Sequence, residues 1–221
     1  MSEEATVAGL YRYPVKGLTP EPIESVTLSP GLPVPWDRAF AIENGPTGFD
    51  PAAPRYFPKA RFLMLMRNER LAALDTRFEE ATTTLSIRED GRTVATGRLD
   101  TAEGRAAIEA FFDAYAAGEL RGPAKVLHAP GFSFSDVAAK VVSLINLESV
   151  RDLGERLGRE VHPLRFRGNL YVEGLPAWSE LDLVGRDIAV GGVTFRAEKR
   201  IVRCAATNVN PDTAERDMAI P

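Results

Sequence analysis

The chain has 221 residues, 27 Lys and Arg against 31 Asp and Glu, a formal net charge of −4, one cysteine and two histidines. A single cysteine rules out an internal disulfide and a four-cysteine iron–sulfur cluster, and with only His128 and His162 beside it a four-ligand structural zinc site is ruled out as well. An acidic balance without a Lys/Arg-rich block, an N-terminus (MSEEATVAGLYRYP) without a basic-then-apolar pattern, and no apolar run long enough to cross a bilayer predict a soluble, cytoplasmic protein with neither nucleic acid nor membrane as partner.

Along the chain, VAGLYRYPV, IESVTLSPG and RAFAIENG read as strands stopped by Pro, Pro-Gly and Asn-Gly. FLMLM and RLAALDT leave strand and helix open, because an apolar run this short has no diagnostic period. TTLSIREDGRTVATGRL predicts a hairpin turning at Asp90-Gly91, a pair that accepts positive φ. Residues 101–117 predict a helix, with Ile108, Phe111, Phe112 and Tyr115 at three- and four-residue spacing and Gly118 as its stop. GELRGPAK then reads as a connection, which places a boundary near residue 120 and two domains, 1–120 and 121–221. AKVLHA predicts a strand, NLESVRDLGERLG a helix capped by Asn146 or Ser149, LRFRGNLYVEG a strand, and DIAVGGVTFRAEKR a hairpin over two glycines. The fold class this implies is α+β, predominantly β, barrel-like and with few helices.

Four cations fall at the ends of these strands: Lys16, Arg38, Arg167 and Arg203. Converged, they make an anion pocket suited to phosphate; taken singly, each reads equally as a surface charge or a partner for an acid. Cys204 lies directly after Arg203, with Lys199 and Arg200 close in sequence. A neighbouring cation favours the thiolate, which acts as nucleophile or soft metal ligand, whereas without such a role the thiol is a small core hydrophobe. A Cys/His hydrolase would need His128 or His162 as base; His162 reads as a turn residue and His128 as the end of a strand, both structural. Glu180 and Asp182 form a second-tier carboxylate pair, and no phosphate-loop, dinucleotide or HExxH motif is present.

Three separated stretches resemble one family. YRYPVKGLTPEPIESVTLSPGL with WDRAFAI resembles the N-terminal β-barrel domain of MOSC proteins, the molybdenum cofactor sulfurase C-terminal family. RFRGNLYVEGLPAWSELDLVG and RIVRCAATNVNPDTAERD resemble the RFRPN and RC…T.VDP.T signatures of the MOSC domain itself, and the chain is similar to bacterial relatives of the amidoxime-reducing component. The resemblance implies a MOSC-type β-barrel binding the molybdenum cofactor (molybdopterin), with Cys204 as catalytic residue and molybdenum ligand. It also implies Lys16, Gly17, Arg38, Arg167, Asn169, Arg203, Thr207 and Asn208 as cofactor contacts. The activity implied is reduction of a small N-oxygenated substrate with electrons from a separate flavin or iron–sulfur reductase; a persulfide or cofactor carrier is the alternative. Fusions of MOSC domains to desulfurases attach pyridoxal phosphate binding to the family as a label, although no lysine here sits in such a motif. Against the family pattern, Gly17 stands for serine, Gly168 for proline and Asn210 for aspartate. Members continue past DMAIP with further strands, so residues 121–221 read as a MOSC domain shortened at its C-terminus.

Overall fold

The computed structural model describes residues 5–220. In chain order its strands and α-helices are β1 (Thr6–Arg12), β2 (Glu21–Pro22), β3 (Phe40–Glu43), β4 (Asp75–Glu79), β5 (Thr84–Glu89), β6 (Arg92–Arg98), α1 (Ala102–Tyr115), β7 (Lys125–His128), β8 (Leu144–Asn146), α2 (Leu147–Leu157), β9 (Leu170–Glu173), β10 (Asp187–Val190) and β11 (Val193–Arg196). The molecule is α+β and predominantly β. Its strands form a four-stranded sheet in the order β2-β1-β9-β8, a three-stranded sheet β4-β5-β6, and the pairs β3-β7 and β10-β11.

The hairpins follow from local turn chemistry. Asp90 and Gly91 both take positive φ, at 50° and 76°, as do Gly191 and Gly192, at 56° and 80°, the conformation that matches the twist of two-residue hairpins. Helix α1 is opened by Thr101, whose hydroxyl accepts from the Gly104 amide at 3.1 Å, and it buries Ile108 and Phe112, four residues apart on one face. Asn146, rather than Ser149, caps α2 by accepting from Glu148 N at 3.1 Å.

Other stretches differ from the sequence reading. IESVTLSPG is not a strand: β2 is Glu21–Pro22, just ahead of it, Ile23 adds one bond to Leu10 O at 3.0 Å, and the rest has no neighbouring strand for its alternation to serve. LRFRGNLYVEG is a strand only from Leu170, because Pro163–Phe166 is a 3₁₀ turn and Arg167 is left-handed, φ 50°. Strand β8 is too short to announce itself and exists through parallel pairing with β9. FLMLM is neither strand nor helix: Leu63 N bonds Ile42 O at 2.9 Å, and Met64 N bonds the Asn68 side chain at 3.0 Å.

Pairing crosses residue 120 twice. β1 runs antiparallel to β9, with Thr6 opposite Glu173 and Leu10 opposite Leu170, and β3 runs antiparallel to β7. The main core lies under β3 to β7 and α1, where Phe40, Leu63, Ile87, Ile108 and Phe112 are fully buried. A smaller core of Ile145, Val150, Val161 and Tyr171 lies under α2 and β9. The ground between them is where the candidate site residues lie.

Candidate functional site

Two loops set the first half of the site. Tyr13–Lys16 runs beside Trp36–Phe40, stitched by Arg38 N to Tyr13 O at 2.7 Å, Phe40 N to Pro14 O at 3.0 Å and Lys16 N to Phe40 O at 2.9 Å. Trp36 and Arg38 both take left-handed φ, 63° and 53°, a conformation that costs a non-glycine residue about 1–2 kcal/mol. The buried Asp37 carboxylate holds the loop, accepting from Tyr13 N at 2.9 Å and pairing with Arg38 Nη1 at 2.5 Å.

Arg38 and Arg167 both lie over the ring of the fully buried Tyr13, their guanidinium carbons 4.6 and 4.3 Å from its centroid. Such contacts contribute about 0.5–2 kcal/mol each. Arg38 Nη2 also donates to Arg167 O at 3.0 Å, and Arg167 Nη2 to Leu18 O at 2.8 Å. Burial works against Arg38, but Asp37 outweighs it and holds its pKa above the ordinary value. Arg167 differs: burial pulls it down to about 10, and the charge of Arg38 pushes the same way. No carboxylate lies within ion-pair distance of Arg167 or Arg203 among the described residues.

The second half centres on Lys16, whose buried ammonium donates to Phe134 O at 2.8 Å and to Asp136 at 2.5 Å. Asp136 also receives Lys59 at 3.1 Å. Burial alone would raise its pKa, but the charge and hydrogen bond of Lys16 and then those of Lys59 hold it down at about 2. Burial lowers Lys16 by more than Asp136 raises it. Lys59 lies near Cys204: burial opposes its charge, and Asp136 followed by Cys204 raise its pKa above the usual lysine range.

Cys204 is half-buried and opens the 3₁₀ turn Ala205–Asn208. Thr207 N and Thr207 Oγ1 both donate to Cys204 O, each at 3.0 Å. Asn208 accepts from Ile220 N at 2.9 Å. Arg165, deeply buried, clasps the turn from below, donating to Asn208 O at 3.2 Å and to both Asp217 oxygens at 2.7 and 2.8 Å, while its Nε is left without a partner. Arg203 donates to Phe166 O at 3.2 Å and stacks over the Phe166 ring, so it joins the Arg167 turn; burial lowers its pKa against the opposing pull of Tyr171 and Cys204. Asn169 ties β1 to β8, accepting from Ser143 Oγ at 2.9 Å and donating to Tyr11 O at 3.1 Å. Asn169, Thr207 and Asn208 thus position their neighbours through backbone contacts.

A cleft of about 330 Å³ opens beside this framework, lined by Gly17, Leu18, Thr19, Arg167, Ala206 and Val209 among others; Cys204, two residues before Ala206, is not part of its lining. Both substitutions of glycine into the family pattern are explained locally. Gly17 has φ +86°, and a Cβ there would stand 3.2 Å from Leu63 O, so the serine hydroxyl common in the family is absent for backbone reasons. At Gly168 a Cβ would meet Ile145 Cγ1 at 2.4 Å, and its N–H donates to Tyr171 OH at 3.0 Å while its carbonyl accepts from Tyr13 OH at 3.0 Å. Proline would supply neither the space nor the donor. Asn210 caps its turn as expected, accepting from Asp212 N at 2.9 Å, and its amide donates to Asp217 at 3.0 Å, where an aspartate would face a like charge.

The histidines and the carboxylate pair take structural places. His128 stacks on Phe40 and bonds Ala39 O at 3.1 Å; His162 accepts from Leu164 N at 3.2 Å and caps the turn before Arg165. Glu180 accepts from Asn146 at 2.9 Å and Ser149 at 2.8 Å, and Asp182 faces Arg200 at 3.8 Å. Residues that the sequence did not single out are Tyr13, Asp37, Lys59, Asp136 and Arg165. The Tyr-Pro and Trp-Asp-Arg runs mark the first two; Lys59 and Asp136 come from loops with no motif-like spacing.

A molybdenum cofactor fits this donor set. One half-buried thiol beside Lys59 offers a single soft ligand, and arginines without carboxylate partners offer an anion's counter-charge. Among the described residues no three His, Cys, Asp or Glu side chains gather as a metal cluster, so a metal at Cys204 has to bring its other ligands with it. No described helix is long and apolar enough to cross a membrane. No curated protein matches the chain. A family model of the MOSC N-terminal beta barrel domain matches residues 4–124, and one of the MOSC domain matches residues 129–220; MOSC domains are associated with molybdenum cofactor-binding proteins. With the first match alone covering more than half of the 221 residues, and Cys204, Arg167 and Arg203 falling within the second, the chain belongs to the MOSC family.

Proposed function

We propose that this MOSC protein binds the molybdenum cofactor through Cys204 and reduces small N-oxygenated compounds, with electrons from a separate flavin or iron–sulfur reductase. The observation that carries the reading is the half-buried Cys204 thiol beside Lys59 and Arg203, with Arg167 in the turn that Arg203 joins and neither arginine ion-paired to a carboxylate among the described residues.

In this reading Arg167 and Arg203 meet the anionic end of the cofactor, and Arg38 and Lys16, each already paired, extend the positive field behind them. Gly17 brings the backbone close without a side chain in the way. Thr207 and Asn208 fix the turn that presents the thiol, and Asn169 fixes β1 against β8. When bound, the cofactor supplies two-electron oxygen-transfer chemistry at a metal tuned by its thiolate ligand. For a hydroxylamine the N–O bond breaks, two electrons and two protons are consumed, and an amine and water leave. The single cysteine of these 221 residues cannot hold an iron–sulfur centre, so in this reading the electrons come from outside them.

Purification from a host that makes the cofactor tests this. Molybdenum and pterin near stoichiometry in wild type, both lost in Cys204→Ala, with amidoxime reduction driven by reduced methyl viologen, is the expected result. Pterin absent from both proteins, with a persulfide on Cys204 by mass spectrometry, would instead establish the sulfur carrier.

A further inference from the structure

We propose that Arg216 is a positioning residue: its guanidinium locks the turn that presents Cys204 to residues 59–66 and so sets the thiol against Lys59. The consequence for cofactor retention rests on the reductase reading above.

Arg216 lies in NPDTAERD, at the end of the stretch around Cys204, and belongs to neither the strand-end cations nor the thiol's own turn. The run folds back on itself. Asn210 N donates to Glu215 O at 2.8 Å and Ala214 N to Asn210 O at 2.9 Å, Ala214 takes a left-handed φ of 60°, and Arg216 forms an antiparallel bridge with Val209. Adjacent residues of extended backbone point to opposite sides. Asp217 accordingly meets Arg165 beneath the turn at 2.7 Å, and Arg216 reaches the other way, to the segment that follows Lys59.

Arg216 Nη1 donates to Ala205 O, one residue past Cys204, at 3.1 Å. Its Nη2 donates to Leu65 O at 3.1 Å and Met66 O at 2.8 Å, and pairs with Glu69 at 2.9 Å. Among the described residues it is the one side chain hydrogen-bonded both to the Ala205–Asn208 turn and to residues 5–124. The Glu69 pair is part-exposed on both sides, at 33% and 41%, so the ion pair itself contributes little. Geometry comes from the three carbonyls, because a planar guanidinium donates in two directions at once, which a lysine ammonium with its single nitrogen does not do.

The segment that receives Arg216 is fixed to the main core. Asn44 N donates to Arg61 O at 2.8 Å, Leu63 N to Ile42 O at 2.9 Å, and Met64 N to the Asn68 side chain at 3.0 Å. Lys59 opens this segment, where Asp136 holds it at 3.1 Å beside the Cys204 thiol, and Leu65–Met66 close it. One end of the segment therefore faces the thiol while the other grips the backbone next to it. Arg165 cannot set this register, since its partners Thr207 O, Asn208 O and Asp217 all lie in the thiol's own half of the chain.

o-Phthalaldehyde reads the register without any cofactor, because it joins a thiol and an amine in contact as a fluorescent isoindole. Cofactor-free wild type is expected to give the isoindole, and Lys59→Met and Cys204→Ala to give background only. Arg216→Met should lower the initial rate about tenfold at a temperature where circular dichroism shows it folded. Arg216→Lys, which keeps the charge but not the fork, should lose the same signal, whereas Glu69→Gln should keep it. A wild-type rate in either Arg216 variant overturns the clamp, and so does a fall that only tracks the unfolded fraction across temperature, or wild type that forms no isoindole. In a host that makes the cofactor, Arg216→Lys should carry about tenfold less molybdenum and pterin per chain than wild type. Wild-type content in that variant overturns the effect on retention; wild type without cofactor removes the reductase reading and leaves the clamp, measured on the cofactor-free chain, standing.

Discussion

Lys16 and Arg167 are both cations held against the core at the end of a strand or turn, yet they are compensated in opposite ways. Lys16 meets Asp136 at 2.5 Å, and Lys59 shares that carboxylate at 3.1 Å. Arg167 receives the Leu18 carbonyl and the face of Tyr13, and burial pulls its pKa down to about 10. Arg38 belongs with Lys16 in this respect, since Asp37 neutralises it. A cation supplied with its own carboxylate serves the scaffold whether or not a ligand is present, whereas a desolvated cation without one is stabilised most when an anion arrives. The difference separates the positive groups that hold the site from those that wait for a ligand.

Removing the counter-ion from Arg38 makes it resemble Arg167 and is expected to have the largest effect. Asp37→Ala strands a largely buried guanidinium and also orphans the Tyr13 amide, which Asp37 accepts at 2.9 Å. A loss of about 3–5 kcal/mol in unfolding free energy by urea titration is expected. A loss below about 1 kcal/mol would mean that solvent already compensates Arg38.

The Arg167 side is broken through its backbone. Gly168→Pro restores the family residue but removes the N–H that donates to Tyr171 OH and drives a ring atom toward Ile145 Cγ1, which a Cβ would meet at 2.4 Å. Overpacking and one lost buried hydrogen bond together are expected to destabilise by about 3 kcal/mol. Ile145→Ala in the same chain should recover part of this, since it removes the steric share and leaves the hydrogen-bond share.

Phosphate sharpens the comparison directly. Because the folded pKa of Arg167 lies below its ordinary value, its charged form is a net cost to folding at neutral pH, relieved only as pH rises through about 10 or when an anion pairs with it. Inorganic phosphate at a hundred times its dissociation constant should stabilise the cofactor-free protein by about 2.7 kcal/mol, read as a rise in Tm. Arg167→Met should abolish that rise, while Lys59→Met, which removes a cation already shared with Asp136, should keep most of it. Equal losses in the two variants would show that carboxylate pairing does not sort the cations.

Much of the architecture was legible because it is local. Asp90-Gly91, Gly191-Gly192, the Ile108/Phe112 face and the Asn146 cap each depend on residues within a few positions of one another. What stayed hidden depends on distant partners. IESVTLSPG alternates like a strand, yet only Ile23 reaches β1, and β8 exists through β9. The site divides in the same way. Strand-end cations and the lone thiol stand out in the sequence, and the resemblance names them, but their compensation does not. Asp136 reaches Lys16 across 120 positions, and the left-handed Arg167 that delays the start of the expected strand is set by Tyr13 and the Gly168 contacts, 155 positions apart.

The smallest expected effect tests the compensated side. Asp136 holds a depressed pKa of about 2 because Lys16 and then Lys59 outweigh its burial. Its ionised form therefore stabilises the folded chain above the unfolded carboxylate value of about 3.9, and that contribution is lost as pH falls through about 2. The side chain is 52% exposed, so solvent screening reduces the contribution to about 1 kcal/mol or less. Asp136→Asn should lower the unfolding free energy from urea titration at pH 6 by that amount, and the gap from wild type should close between pH 4 and pH 2. A gap that persists unchanged to pH 2 would assign the effect to lost hydrogen bonding to Lys16 rather than to charge, and Lys16 would then be as uncompensated as Arg167.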